Sequence, residues 1–215
     1  MMNNFYVRKH SMQNEKLDAW KQQMAEFRFP RWNELPEINL YMDQVVGYLN
    51  QKLSALYGAD GDIGGVAVTA TMINNYVKQR IISAPVKKRY DRACVSALIV
   101  LFCAKQIMSI GMTGTLLARC RWDEHPEIAY DRFCDIFEAV LHITVSGGGY
   151  ESIMSGLSGE ERVVMAAAVA FANKLFAETL LLLDTDAPED GKPAPTGDES
   201  SSPDTAPATS NASET

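Results

Sequence analysis

TATMINNYVKQRIISAPVKKRYDR, from Thr69 to Arg92, divides into a polar-faced helix, an apolar pair, a proline turn and a basic cluster. Thr69 is placed to cap the helix, and Met72, Ile73, Tyr76 and Val77 recur at the spacing of one apolar face. The other face carries Thr71, Asn74, Asn75, Lys78 and Gln79, all able to donate or accept hydrogen bonds. Pro85 fixes its own φ and pushes Ala84 towards extended backbone, so the helix must end before them. Lys87, Lys88 and Arg89 follow, and Asp91 caps the next helix. Six of the fifteen residues from Lys78 to Arg92 are basic, against one acid. A polar helix face beside an extended basic turn suits a reader of duplex DNA, which needs both base-edge and phosphate contacts. The same features also describe an amphipathic helix followed by a solvated loop.

Working outward, charge separates the chain into two parts. Asp184 to Thr215 holds eight acids and one lysine, so residues 1–183 keep 19 acids and 19 bases and are neutral. The overall charge of −7 therefore does not exclude DNA binding, because the acids lie away from the basic cluster. After Phe176 there is no aromatic residue, and Pro, Ser, Thr, Ala, Gly and acids dominate from Asp184 onward. Such a segment buries too little apolar surface to offset the entropy of ordering, so 184–215 is expected to be disordered. It serves either as an inert solubilising end or as a competitor of DNA for the basic cluster.

The remaining periodicity is helical. Leu17, Trp20, Met24 and Phe27 predict a loosely attached leading helix within 1–28, stopped by Pro30. Met42, Val45, Val46, Leu49, Leu53 and Leu56 predict a helix from about Asn39 to Leu56. Gly58, Gly61, Gly64 and Gly65 then form a flexible connection that lacks the Gly-Lys-Ser/Thr ending of a phosphate loop. Ala93 to Ala104 is apolar everywhere but Ser96, which predicts a helix buried by neighbours on several sides. A short helix is expected near 109–118. Another starts around Pro126, with Ala129, Tyr130, Phe133, Ile136, Phe137, Val140 and Leu141 on its apolar face. Ser158 and Glu161 form a capping box for the last helix, to about Leu183. That helix nears membrane-span length, but Asn173, Lys174, Glu178 and Thr179 interrupt it, so a buried helix is predicted and no membrane association.

Catalytic and metal signatures are missing. His10, His125 and His142 are the only histidines, and Cys134 and His142 lie roughly 12 Å apart along one helix at ~1.5 Å per residue. Cys120 and His125 have no second pair at zinc-site spacing. No nucleophile elbow, H-E-x-x-H or G-x-G-x-x-G occurs. Neither an enzyme nor a cofactor is expected. The four cysteines read as reduced, mostly buried thiols of a cytoplasmic protein, and the N-terminus has no signal-peptide core.

Several stretches resemble the bacterial domain of unknown function 1836 family over about residues 29–118. They are RWNELPEINLYMDQ at 31–44, TATMINNYVK at 69–78, PVKKRY at 85–90 and AKQIMSI at 104–110. A second resemblance is to the mercury-resistance-regulator (MerR) type of winged helix-turn-helix. Its recognition helix reads T-I-R-Y-Y, a basic residue, G-L-L and a proline-containing wing. Met72 to Tyr76 occupy the first five places, Lys78 the basic one, Ile81 and Ile82 the apolar pair, and Pro85 to Tyr90 a shortened wing. Asn74 stands where that type has arginine and Arg80 where it has glycine, so base preference does not carry over.

These resemblances imply a mainly α protein: a winged helix-turn-helix-like half at 29–118 packed with an α-helical region at 119–183. The helix at 39–56 would cross the DNA backbone and that at 69–79 would enter the major groove. The implied nucleic-acid contacts are Thr71, Asn74, Asn75, Lys78, Gln79, Arg80, Lys87, Lys88, Arg89 and Arg92. Asn74 and Asn75 suit adenine edges, Lys78 guanine or phosphate, and the basic turn phosphates. Tyr76 is assigned to the core. The expected partners are duplex DNA and a second copy of the chain, through the C-terminal helices. The expected role is a transcriptional regulator or DNA-associated accessory protein. The alternative is a helical protein-interaction module with a basic docking patch.

Overall fold

A computed structural model describes residues 2–57, 67–120, 122 and 124–185. The glycine-rich connection lies outside the described residues, as does the acidic segment from residue 186 on. Asp184 and Thr185 continue the last helix rather than beginning the tail.

The fold is mainly α, as the periodicity predicts. Its helices are α1 (Met2–Glu26), α2 (Met42–Tyr57), α3 (Ala70–Lys78), α4 (Arg92–Ala104), α5 (Ile110–Arg119), α6 (Pro126–Ser146), α7 (Glu151–Met154) and α8 (Gly159–Thr185). Every residue of α4 from Cys94 to Ala104 is buried, because α2, α5, α6 and α8 all pack on it. A fully buried leucine there contributes roughly 1.5–3 kcal/mol. One apolar core runs from Trp20 to Leu175, so the regions expected at 29–118 and 119–183 close over a common set of side chains.

Two expectations need correcting. The leading helix is not loosely attached: α1 packs on α6 and α8, Met24 is buried, and Trp20 stacks on Phe176 at 5.7 Å. Its apolar stripe needed a cover, and the two long C-terminal helices supply one. The helix expected from Asn39 begins at Met42, because Leu40–Tyr41 forms a strand, β1. It pairs antiparallel with β2 (Arg89–Tyr90), Leu40 opposite Tyr90 and Tyr41 opposite Arg89. Leu40 and Tyr90 point into the core, and Tyr41 and Arg89 away from it.

α8 starts at the predicted capping box, with Ser158 N–H donating to Glu161 Oε2 (2.7 Å) and Glu161 N–H to Ser158 Oγ (3.3 Å). It is long and apolar enough to cross a membrane, but it buries one face, including Val164, Ala168, Phe171 and Leu175. Its Leu180 and Leu181 stay exposed.

A seam holds the segment before α2 onto α6. Phe29 N–H donates to Glu138 Oε1 (2.8 Å), Arg31 donates to Glu138 Oε2 (2.9 Å), and Trp32 N–H donates to Asp131 Oδ1 (2.7 Å). Tyr130 O–H donates to Pro30 O at 2.7 Å. Burial pushes the Glu138 carboxyl above its ordinary range, although the Phe29 N–H, Arg31 and Arg28 pull the other way.

Candidate nucleic-acid interface

α3 is held at both ends. At its start Thr69 Oγ1 accepts from Met72 N–H (3.3 Å), the expected cap. Just before it, Asn50 of α2 pairs with both backbone groups of Val68, donating to its carbonyl (3.1 Å) and accepting from its N–H (2.7 Å). That clasp fixes the entry of α3 onto α2. Ile73 and Tyr76 are buried, with Tyr76 edge-on to Phe102 of α4 at 5.7 Å, so Tyr76 belongs to the core as expected. Thr71, Asn74, Asn75 and Lys78 are exposed on the opposite side.

The C-terminus of α3 closes in a Schellman motif: Ile81 N–H donates to Tyr76 O and Arg80 N–H to Val77 O, both at 3.0 Å. This bond pattern requires a left-handed residue at the turn, and Arg80 supplies it with φ 57°. Gln79 and Arg80 are exposed, while Ile82 anchors the following loop in the core.

The basic turn is a two-residue hairpin. Val86 and Arg89 exchange both backbone hydrogen bonds at 3.0 Å, and between them Lys87 and Lys88 have φ of 50° and 66°. Positive φ at both central positions defines a type I′ turn, which normally takes Asn-Gly. The two lysine side chains stand exposed at its tip. Arg89, next in line, donates to Tyr41 Oη (2.8 Å), and its guanidinium lies 4.7 Å over the Tyr41 ring.

Nine of the ten expected contact residues are exposed, and Arg92 is half-buried. Its guanidinium reaches Pro36 O (3.5 Å) and Glu37 (3.8 Å) and sits 5.7 Å over the Trp32 ring, so it braces α4 against the 32–37 segment. Lys78, Arg80, Lys87 and Lys88 make no ion pair among the described residues. Ion pairs are made instead by Arg28, Arg31, Arg92, His125, Arg132 and Lys174. Two supporting residues, Tyr41 and Asn50, escaped the sequence reading. Both act through partners far along the chain, and no local pattern marks them.

The nearby thiol of Cys94 is buried. Burial, with Asp91 adding to it, pushes the Cys94 pKa up to about 12, and Cys103 and Cys134 are likewise raised by burial. Among the described residues no group of three or more His, Cys, Asp or Glu side chains is placed to hold a metal ion.

Residues 30–133, just under half of the chain, match the model of the family described as Domain of unknown function (DUF1836). The match begins at the seam, spans α2 to α5 with the hairpin, and ends inside α6, beyond the expected limit at 118. No curated protein and no solved structure matches the chain.

Proposed function

We propose that the chain is a cytoplasmic, non-enzymatic reader of duplex DNA, a transcriptional regulator or DNA-associated accessory protein of the winged helix-turn-helix kind. α2 crosses the backbone, α3 enters the major groove, and the Val86–Arg89 hairpin is a shortened MerR-like wing. The observation that carries this reading is a bare polar face on α3 followed by four exposed cations without an ion-pair partner among the described residues. Arg80 supports the MerR analogy. Where that type has glycine, this chain has a non-glycine residue that still takes the left-handed backbone glycine favours.

Asn74 and Asn75 read adenine edges, Lys78 reaches guanine or phosphate, and Thr71 and Gln79 contact the neighbouring backbone. Lys87, Lys88 and Arg80 neutralise phosphates, and Arg89 joins them from its Tyr41 platform. Arg92 stays within the protein. The test is selection of genomic fragments, followed by titration of a chosen site at increasing salt. Affinity should fall with a slope of about −0.9 per phosphate neutralised. Asn74→Ala or Asn75→Ala should weaken the chosen site by ~1–3 kcal/mol without changing that slope. Absence of salt-dependent binding at ~50 mM salt would remove the reading.

A second reading has its own support. Val86 in the hairpin and Ile38, two residues before β1, are both more than 70% exposed. Apolar side chains beside cations also suit a protein partner with an acidic, apolar surface. Saturable binding to such a partner, with none to DNA, would favour it.

We further propose that α8 carries a symmetric contact between two copies, supported by exposed Leu180 and Leu181 on its uncovered face. Leu181→Glu should shift the sedimenting mass from dimer to monomer. A wild-type chain already monomeric at tens of micromolar rules the contact out.

A further inference from the structure

Between the cap of α3, the first turns of α4, and α5 lies a cleft of about 960 Å³, of whose lining the DNA reading uses Gln79 and Arg80 alone. Its size is that of a small-molecule site. Ile81, Leu117 and Trp122 give it apolar walls, and Arg80, Gln79 and Ser83 add hydrogen-bond donors. Trp122 is buried, and its indole N–H has no partner among the described residues.

Acceptors are scarce. Asp91 is the sole carboxylate on the lining among the described residues, and its Oδ1 already accepts from Cys94 N–H at 2.8 Å as the cap of α4. Among the described residues Arg80 is the sole cation there, and it has no ion pair with any of them. On the α5 wall, Gly111 has nothing within 4 Å of the place a Cβ would take, so that side is open. One guanidinium holds one carboxylate in a bidentate pair, whereas a dianionic phosphate calls for more cations than the described residues of this lining offer.

We propose that this cleft binds a small carboxylic acid with an apolar body, the carboxylate at Arg80 and the body against Ile81, Leu117 and Trp122. Such binding needs no DNA, so its test and that of the DNA reading fail separately.

The experiment titrates the ¹⁵N-labelled full chain with 3-phenylpropionate and with 3-phenylpropanol, its neutral counterpart. The indole N–H signals are followed, and that of Trp122 is identified by its loss in Trp122→Phe. A saturable shift of the Trp122 signal is expected, with the acid binding about tenfold or more tighter than the alcohol. Arg80→Gln should bring the two to near equality. Gly111→Leu, which fills the open side, should abolish the shift while leaving the other indole signals in place as a control on folding. No saturable shift by ~10 mM acid overturns the proposal, since affinity weaker than that is no site. Equal binding of acid and alcohol overturns it too, as does binding untouched by both variants.

Discussion

Arg31 and Lys88 carry the same charge in opposite settings. In the seam on α6, Arg31 meets Glu138 at 2.9 Å and Asp135 at 3.1 Å, along an extended segment. In the stretch from α3 to β2 the cations stand without ion pairs among the described residues and the backbone is strained. All three non-glycine residues with positive φ among the described residues, Arg80, Lys87 and Lys88, lie there, and all three are basic. A left-handed conformation costs a non-glycine residue about 1–2 kcal/mol, and such strain persists only where the surroundings impose it. Here Ile82 and Tyr90, both buried, pin the chain on either side of the turn. The seam thus favours folding, whereas the turn opposes it and is held open to solvent by the core. Charge that braces the seam is paired, and charge at the turn is not paired among the described residues.

The largest expected effect tests the seam. Glu138→Ala leaves Arg31 and the Phe29 N–H without their acceptor. Removing one partner of a buried pair loses ~3–5 kcal/mol. Because the Arg31 side chain is 33% exposed, the lower end applies: about 3 kcal/mol, or roughly 6–12 °C in the melting midpoint of a chain this size. Glu138→Gln keeps an acceptor for Phe29 and should lose less. A loss under ~1 kcal/mol would make the seam solvated surface, worth no more than an exposed pair, and would dissolve its contrast with the turn.

Most of this fold was legible because it rests on local signals. The 3.6-residue spacing of Val45, Leu49, Leu53 and Leu56, the Thr69 and Asp91 caps and the Ser158–Glu161 box each act within a few residues of sequence. The exposure of Asn74, Asn75, Lys87 and Lys88 was legible for the same reason. What stayed hidden depends on long-range pairing. Glu138 reads as one more acid on an amphipathic helix until Phe29 and Arg31 arrive from more than a hundred residues away. Two-residue strands carry no alternation, so neither β1 nor the Tyr41–Arg89 pair had a pattern to betray it. Lys-Lys at a type I′ turn goes against the usual Asn-Gly rule, and the sequence signalled only an extended turn there.

The turn gives the next effect, opposite in sign. Lys87→Asn with Lys88→Gly installs the pair a type I′ turn prefers and removes two charges. Stability should rise by about 1 kcal/mol, or roughly 2–4 °C in melting midpoint. The slope of log DNA affinity against log salt should flatten by up to ~2 units. A lower midpoint would show that the lysine side chains support the fold. A higher midpoint with an unchanged slope would keep the strain argument but remove the tip from the DNA contacts.

The smallest effect separates two carboxylates that both touch α6. The Arg132 hydrogen bond, followed by the Ser158 N–H, holds the Glu161 carboxyl below its ordinary value of 4.5. The unfolded chain therefore takes up this proton first, and the stability from the contact is present above pH 4.5 and lost as pH falls through the depressed folded value. Glu138 runs the other way. Burial raises its folded value above 4.5, so the folded chain takes up that proton first and gains stability as pH falls from the raised value towards 4.5. Denaturation midpoints between about pH 3 and 7 should show Glu138→Gln losing the gain on the less acidic side and Arg132→Gln losing part of the decline on the more acidic side. Arg132 is 45% exposed and Glu161 keeps its Ser158 contact, so the Arg132→Gln change should amount to a few tenths to about 1 kcal/mol. An acid decline undiminished in Arg132→Gln would pass it to other carboxylates. If Glu138→Gln left the profile unaltered above pH 4.5, the Glu138 carboxylate would be ionised as readily as an exposed one, and the seam would owe its strength to hydrogen bonding and not to the exclusion of water.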